Sequence, residues 1–278
     1  MSLLFRVLAS GSKGNAVLVC SPGTRILVDA GTTCKELVRR LEKSGADPKK
    51  LDALIISHEH GDHVSAAGTL SRRFDLPVFT TRGTLDNMPA NVGRFASVNI
   101  FSTGRCFELG DLRIHAFAIS HDAGEPAGFI IEHENTRLGI CTDLGVATNL
   151  VRVRLQGCHG LVLEANHDVT RLLEGPYPWH LKQRIRSAHG HLSNEESCKL
   201  LEAIHHEQMQ CVVFAHLSET NNDPALVRKC CQTLRQSSRW ENVQFELGQQ
   251  NETTCDFELN GKCESAEETG TEPSGRNS

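Results

Sequence analysis

The sequence predicts an α/β protein in four layers, an αββα sandwich of two mixed β-sheets with helices outside. Three observations lead there. Short apolar runs of strand length alternate with amphipathic stretches along the whole chain. The strand-like runs fall in two blocks, at the start and around residues 107–141, where several follow one another with only turns between them. At 278 residues the chain is long enough to bury a large core between two sheets. A doubly wound parallel sheet fits less well, because it needs a helix after nearly every strand.

In chain order, LLFRVLA, NAVLVC and TRILVDA read as strands divided by the turns SGSKGN and SPG. CKELVRRLEKSG has helical spacing, LDALIIS is strand-like, and DHVSAAGTLSRRF reads as a helix with Val64, Ala67, Leu70 and Phe74 on its inner face; LPVFT closes this block as a strand. FELG, LRIHAFAIS, GFIIEHE and TRLGICT form the second strand block. In the last third, GLVLEA and CVVFAH are strands, while NEESCKLLEAIHHE and DPALVRKCCQTLRQ are helices. Ser193 opens the first of these with a capping box to Glu196, and Asp223 with Pro224 opens the second. No repeat of 20–50 residues interrupts this order.

The net charge of −5 is unevenly distributed. From Gln249 to Ser278 there are seven acidic residues and two basic ones, so this stretch carries all of it and leaves the body neutral. Residues 1–248 are therefore expected to form the working domain. Residues 249–278 are expected to be an acidic and largely disordered tail, at least from Glu264 onward. A neutral body is no general polyanion binder, so any nucleic-acid contact has to come from a local basic excess. Eleven scattered cysteines without a CxxC pair read as free thiols in a reducing compartment. No apolar run approaches the ~18 residues of a membrane span, and the opening is broken by Arg6. The expectation is a soluble cytoplasmic protein with no membrane contact.

The densest chemistry lies at SHEHGDH, residues 57–63, directly after the apolar run LDALII. If that run is a central strand and a helix follows, His58 and His60 project to one side of the junction. Asp62 and His63, at the helix start, face the same point. Imidazoles with carboxylates and no thiolate suit zinc or manganese, with iron also compatible, in a site that keeps open positions. A solvated polar turn is a poor alternative for four such groups at the exit of a buried strand.

His58, His60, Asp62 and His63 match HxHxDH, and in this strand-to-helix setting the sequence resembles the metallo-β-lactamase-fold hydrolases. The resemblance implies further ligands at strand ends. Candidates stand in order at Asp29 after RILV, His121 after LRIHAFAIS, Asp143 after LGICT and His216 after CVVFA. Within that fold the chain is similar to the WalJ/YycJ group of bacterial 5′-to-3′ exonucleases of DNA. The segments that carry this are SGSKGN, SHEHGDH, SHDAGEPAGF, CTDLG, LEANHD, GPYPWHLKQRIRSAHGHLSN and AHLSETNND. What it implies is a site for two divalent ions, one held by His58, His60 and His121, the other by Asp62, His63 and His216, with Asp143 between them. Asp29 is implied as an outer partner, and Asp62 as a group that also holds the attacking water; His167 in LEANHD reads either as a further outer partner or as a satisfied structural histidine. DNA is the implied partner and substrate.

Substrate recognition is expected in the basic stretch that carries Lys182, Arg184 and Arg186 with His189 and His191. His191, Ser193 and Asn194 stand at a helix start, where free amides favour a phosphate. His191 is also the expected proton donor to the leaving oxygen. Tyr177 and Trp179 are candidates for stacking on a base, or for packing a loop. The competing readings are another substrate on the same fold, such as a cyclic phosphodiester, an RNA end or a thioester, and a metal-stabilised binding protein without turnover. A thioester does not call for the basic stretch, and a structural metal site closes its coordination, which seven ligands shared by two ions do not.

Overall fold

The structure, a computed structural model, describes residues 2–261. Two seven-stranded sheets stack face to face. The first holds β1 (Leu3–Ala9), β2 (Ala16–Cys20), β3 (Arg25–Val28), β4 (Ala53–Ile55), β5 (Pro77–Thr80) and β6 (Ser97–Ile100) side by side in that order. The second holds β7 (Cys106–Leu109), β8 (Leu112–Ala118), β9 (Ala127–His133), β10 (Thr136–Cys141), β11 (Gly160–Glu164), β12 (Cys211–Ala215) and β13 (Gln244–Leu247). Each sheet begins antiparallel and turns parallel: β3 to β6 run parallel in the first, β10 to β13 in the second. The αββα architecture expected from the two strand blocks is the one observed.

Strand alternation sorts the core. Ile26, Val28, Ala53, Ile55, Phe129, Val162 and Val213 point between the sheets. Their neighbours Leu27 and Leu54 point outward against Leu37, Leu41 and Leu70, and Val212 and Phe214 pack outward against Leu201 and Trp240. Strands buried on both faces read as near-continuous apolar runs, which is how LDALII and LVLE look in the sequence.

Outside the first sheet lie α1 (Cys34–Lys43), α2 (Gly61–Val64), α3 (Ala67–Phe74) and α4 (Arg82–Asp86). With the second sheet come α5 (Asn149–Leu155), α6 (Val169–Glu174), α7 (Trp179–Ile185), α8 (Asn194–Ile204) and α9 (Pro224–Leu234). The single helix expected over 62–74 is two, because Ala66 turns its amide to the carbonyl of Ala30 and breaks the ladder. Both expected caps are present: Ser193 and Glu196 complete the capping box of α8, and Asp223 caps α9 before Pro224.

The chain does not leave the fold after Gly248. A further strand, β14 (Phe257–Leu259), pairs antiparallel with β1 and closes the first sheet. Phe257 stacks on Phe5 with ring centroids 4.9 Å apart, and Asp256 pairs with Arg6. The boundary expected at 248 therefore moves to the end of β14. Disorder expected from Glu264 concerns residues outside those described.

Candidate metal centre and its cavity

The parallel strands β3, β4, β10, β11 and β12 all end at one edge of the sandwich, where ligands gather in open sheets. Asp29 follows β3, Ser57 to His63 follow β4, Asp143 follows β10, Glu164 ends β11, and His216 follows β12. His121 comes from the loop after β8. Three of these residues turn the chain in the left-handed region, Asp29 at φ 61°, Asp143 at φ 58° and His216 at φ 57°. For a side chain other than glycine this is a strained conformation, and it clusters here at the strand exits. Gly31 is needed for closeness: a Cβ there would sit 1.6 Å from the carbonyl oxygen of Asp62.

Ligand-type atoms converge in two triads, His58 with His60 and His121, and Asp62 with His63 and His216, each within 4.8 Å. His58 Nε2 lies 3.1 Å from His60 Nδ1, which lies 3.2 Å from His121 Nε2. Asp62 Oδ2 is 3.2 Å from His216 Nε2 and 3.7 Å from His63 Nε2. Asp143 joins the triads: its carboxylate is 3.1 Å from His63, 3.3 Å from His216 and 3.7 Å from His121. Its buried Oδ2 makes no aligned hydrogen bond despite the His63 contact.

Outer partners fix each ring. His63 Nδ1 lies 2.7 Å from Asp29 Oδ2. Asp29 also accepts from the amide and hydroxyl of Ser57, whose hydroxyl meets His58 Nδ1 at 3.0 Å. His121 Nδ1 reaches the carbonyl of Gly190 at 3.1 Å, and His216 Nδ1 reaches Glu164 at 2.8 Å. With Nδ1 facing an outer partner, four histidines turn Nε2 inward, the arrangement of rings that bind a cation. Ring nitrogens about 3 Å apart, next to an orphaned buried carboxylate oxygen, form a donor set that fits divalent metal.

The electrostatics divide the rings into two that stay neutral and two that favour a cation beside the carboxylates. Burial, with the charge of His63 adding to it, holds His58 well below the usual imidazole range. Burial likewise lowers His121. Burial would also lower His63 and His216, but Asp143 with Asp29, Asp62 and Glu164 holds both well above it. Asp143 stays ionised despite burial, because His216 and His63 face it.

Glu164 is the residue that sequence reasoning did not single out. Fully buried, it meets His191 Nδ1 at 2.9 Å and His216 Nδ1 at 2.8 Å through Oε1. Its Oε2 accepts the amides of Leu144 and Leu192. Burial opposes its charge, yet the two histidines hold its pKa at about 2. A signal was there: an acid ends an apolar strand in GLVLE, as Asp29 and Asp143 follow theirs. Asn15, from the SGSKGN turn, is the other omission; its Nδ2 lies 3.1 Å from His63 Nε2 and 3.3 Å from Asp62 Oδ2.

The substrate residues expected from the basic stretch divide. His191 lines the cavity over the cluster, about 240 Å³ in volume, with Arg184, Tyr177, Leu181 and Ile185. Arg184 Nε also binds Asp122 Oδ2 at 2.6 Å. Lys182 does not face it: it is buried, and its Nζ donates to the carbonyls of Leu173 and Gly175 at 2.6 and 2.7 Å. Ser193 and Asn194 are also buried. The Ser193 hydroxyl is used by the capping box, and Asn194 trades amide hydrogen bonds with Asn222. The helix start expected to hold phosphate is thus closed by its own Glu196. His189 is exposed, with its ring 3.4 Å from Ser120 Oγ. Arg186 and His167 line a different cavity beside Lys199; burial lowers the His167 pKa to about 4, and the ring touches no ligand residue of the cluster.

Residues 24–216 match the beta-lactamase superfamily domain. The chain is 34% identical over 230 residues to the exodeoxyribonuclease YycJ of Bacillus anthracis, covering 82% of this chain and 87% of that one. It is 33% identical over 222 residues to the exodeoxyribonuclease WalJ of Streptococcus pneumoniae, covering 78% and 82%. The metallo-beta-lactamase fold protein YhfI of Bacillus subtilis superposes with a TM-score of 0.71 at 16% identity, over 93% of this chain and all of that one, a likeness of fold. By its matched domain, its full-length relatives and its two-sheet architecture, the chain belongs to the metallo-β-lactamase superfamily, together with the YycJ and WalJ proteins.

Proposed function

We propose that this metal-dependent hydrolase is a DNA exonuclease acting from the 5′ end. The observation that carries the reading is the pair of histidine-rich triads joined across Asp143 beneath one cavity, in a chain so similar to two exodeoxyribonucleases. His58, His60 and His121 would hold one ion, Asp62, His63 and His216 the other, and Asp143 both; zinc and manganese suit these donors, as does iron. When bound, two such cations would lower the pKa of the attacking water and neutralise charge on a phosphodiester in in-line displacement.

The chain's own residues supply the rest. Asp62 accepts a hydrogen bond from the attacking water and orients it. Glu164 holds Nδ1 of His191 at 2.9 Å and so fixes the ring at the cavity, where His191 gives a proton to the leaving oxygen. Arg184, at the cavity wall, pairs with a phosphate of the strand. Relatives named as ribonucleases match shorter stretches of the chain, such as 74 residues for one from Thermus thermophilus, so DNA is the favoured substrate.

The test is hydrolysis of end-labelled DNA, with 5′-phosphate and 5′-hydroxyl ends compared, beside RNA of the same sequence, with added manganese, zinc or chelator. Stepwise release of mononucleotides from the 5′ end of DNA, abolished by chelator, is the expected result. Absence of DNA turnover with every metal rejects the reading.

A further inference from the structure

We propose that the segment carrying α6 and α7 forms a wall that receives the terminal nucleoside of the strand, with Tyr177 stacked on its base. The inference rests on the exonuclease reading above and deepens it. Hydrolysis of a phosphodiester asks only for charge and polar groups, and the floor of the cavity supplies them. Yet one side of the same cavity is apolar and aromatic: Tyr177, Leu181 and Ile185. Leu181 and Ile185 are four residues apart on α7 and so share a face, and Tyr177 just precedes that helix. It is the chain's single tyrosine. Trp179, two residues on, is 61% exposed and does not line the cavity, so the two aromatic residues of GPYPWH serve different sides of the segment. The same cavity is also lined by the polar residues Ser12, Asn166 and Ser218.

Aromatic and aliphatic side chains that share one cavity with hydroxyls, an amide and a metal-type cluster match a nucleoside, which has a flat apolar ring face and a polar sugar edge. At about 240 Å³ the space is smaller than the ~300 Å³ at which small-ligand pockets begin, so it admits no more than one terminal unit of a strand. The wall is in place beforehand. Lys182 ties α7 to the carbonyls of Leu173 and Gly175, Arg184 ties it to Asp122, and Arg171 ties α6 to the carbonyl of Thr220. A wall fixed in advance spends little binding energy on ordering itself.

The experiment compares two single-stranded oligonucleotides that differ only at the 5′-terminal nucleotide, normal in one and abasic in the other. The wild-type enzyme is expected to favour the normal end in kcat/KM by roughly five- to a hundredfold, the range of one base–aromatic stack. Tyr177→Ala should remove most of that preference, and Tyr177→Phe should keep it. A second readout is free of turnover: chelator-treated protein titrated with each labelled oligonucleotide in fluorescence polarisation should show the same pattern in affinity. Equal wild-type rates on both ends, with DNA still degraded, overturn the nucleoside wall and leave the exonuclease standing. An equal loss on both oligonucleotides in Tyr177→Ala also overturns it, since a tyrosine that only supports the fold behaves that way. Wild-type protein that hydrolyses neither oligonucleotide overturns the exonuclease reading, and this inference with it.

Discussion

The first sheet supplies its side of the cluster from one loop, Ser57 to His63, braced by Asp29. The second supplies His121, Asp143, Glu164 and His216 from four separate strand exits, and His191 from the turn before α8. Each side is held by one buried carboxylate. Asp29 serves His63 and Ser57, neighbours in sequence. Glu164 serves His191, His216 and the amides of Leu144 and Leu192, which no local sequence unites. A compact motif can thus be oriented by one local brace, whereas a scattered set depends on a hub that reaches several elements at once.

The largest effect should be the same on both sides. His58→Ala from the loop and Asp143→Asn from the scattered set should each lower DNA turnover by more than the ~100-fold upper range seen for outer partners. Metal analysis should show fewer than two ions per chain in either variant, against two in wild type, with circular dichroism unchanged. Retained activity in one of them would break the symmetry of the two triads.

Next comes the comparison of the two braces. Asp29→Asn and Glu164→Gln should each cost roughly 10- to 100-fold in activity or metal affinity, with Glu164→Gln nearer the upper end because it serves two histidines. A milder effect for Glu164→Gln than for Asp29→Asn would contradict the hub.

The halves are also joined structurally, since β14 returns from beyond the second sheet to the first. Truncation after Gly248 removes the buried Phe257 and Leu259 and about 3–6 kcal/mol by area, an upper figure. At about 2–4 °C per kcal/mol for a chain of this size, the melting temperature should fall on the order of 10 °C. An unchanged melting curve would make β14 an ornament of the sheet.

The smallest expected change is at Arg186. Arg186→Ala should leave the rate on short DNA within about twofold and, if it meets a phosphate of a longer strand, flatten the log–log salt dependence of binding by about one. Lys182→Ala should act differently, loosening α7 and lowering thermal stability, because its ammonium is occupied inside the protein.

Most of the cluster was legible because chemistry and position coincide: histidines and aspartates at the exits of apolar strands have few other reasons to be there. Glu164 escaped because it closes an apolar run and looks like its polar edge. Ser193 and Asn194 were misplaced because an N-cap and an anion site use the same residue types; only the Glu196 carboxylate, folded back on the helix start, separates them. Lys182 reads as a phosphate contact in the sequence, since its inward turn is set by tertiary placement. β6 went unread because its four residues are all exposed and show no alternation, and β14 because the charge around it outweighed the FEL pattern.

The left-handed turns at Asp29, Asp143 and His216 bear on how this protein can drift. Backbone there admits glycine, and after it asparagine and aspartate, at least cost. At Asp29 and Asp143 the residue that the backbone tolerates is also one that carries a carboxylate, so conformation and chemistry narrow the alphabet to nearly the same letter. At His216 they disagree: the backbone prefers glycine and the cluster needs an imidazole. A saturation library selected for folding alone should therefore enrich glycine or asparagine at 216 while the function-selected library keeps histidine, which makes that position the one where the gene's structural and catalytic constraints can be read apart.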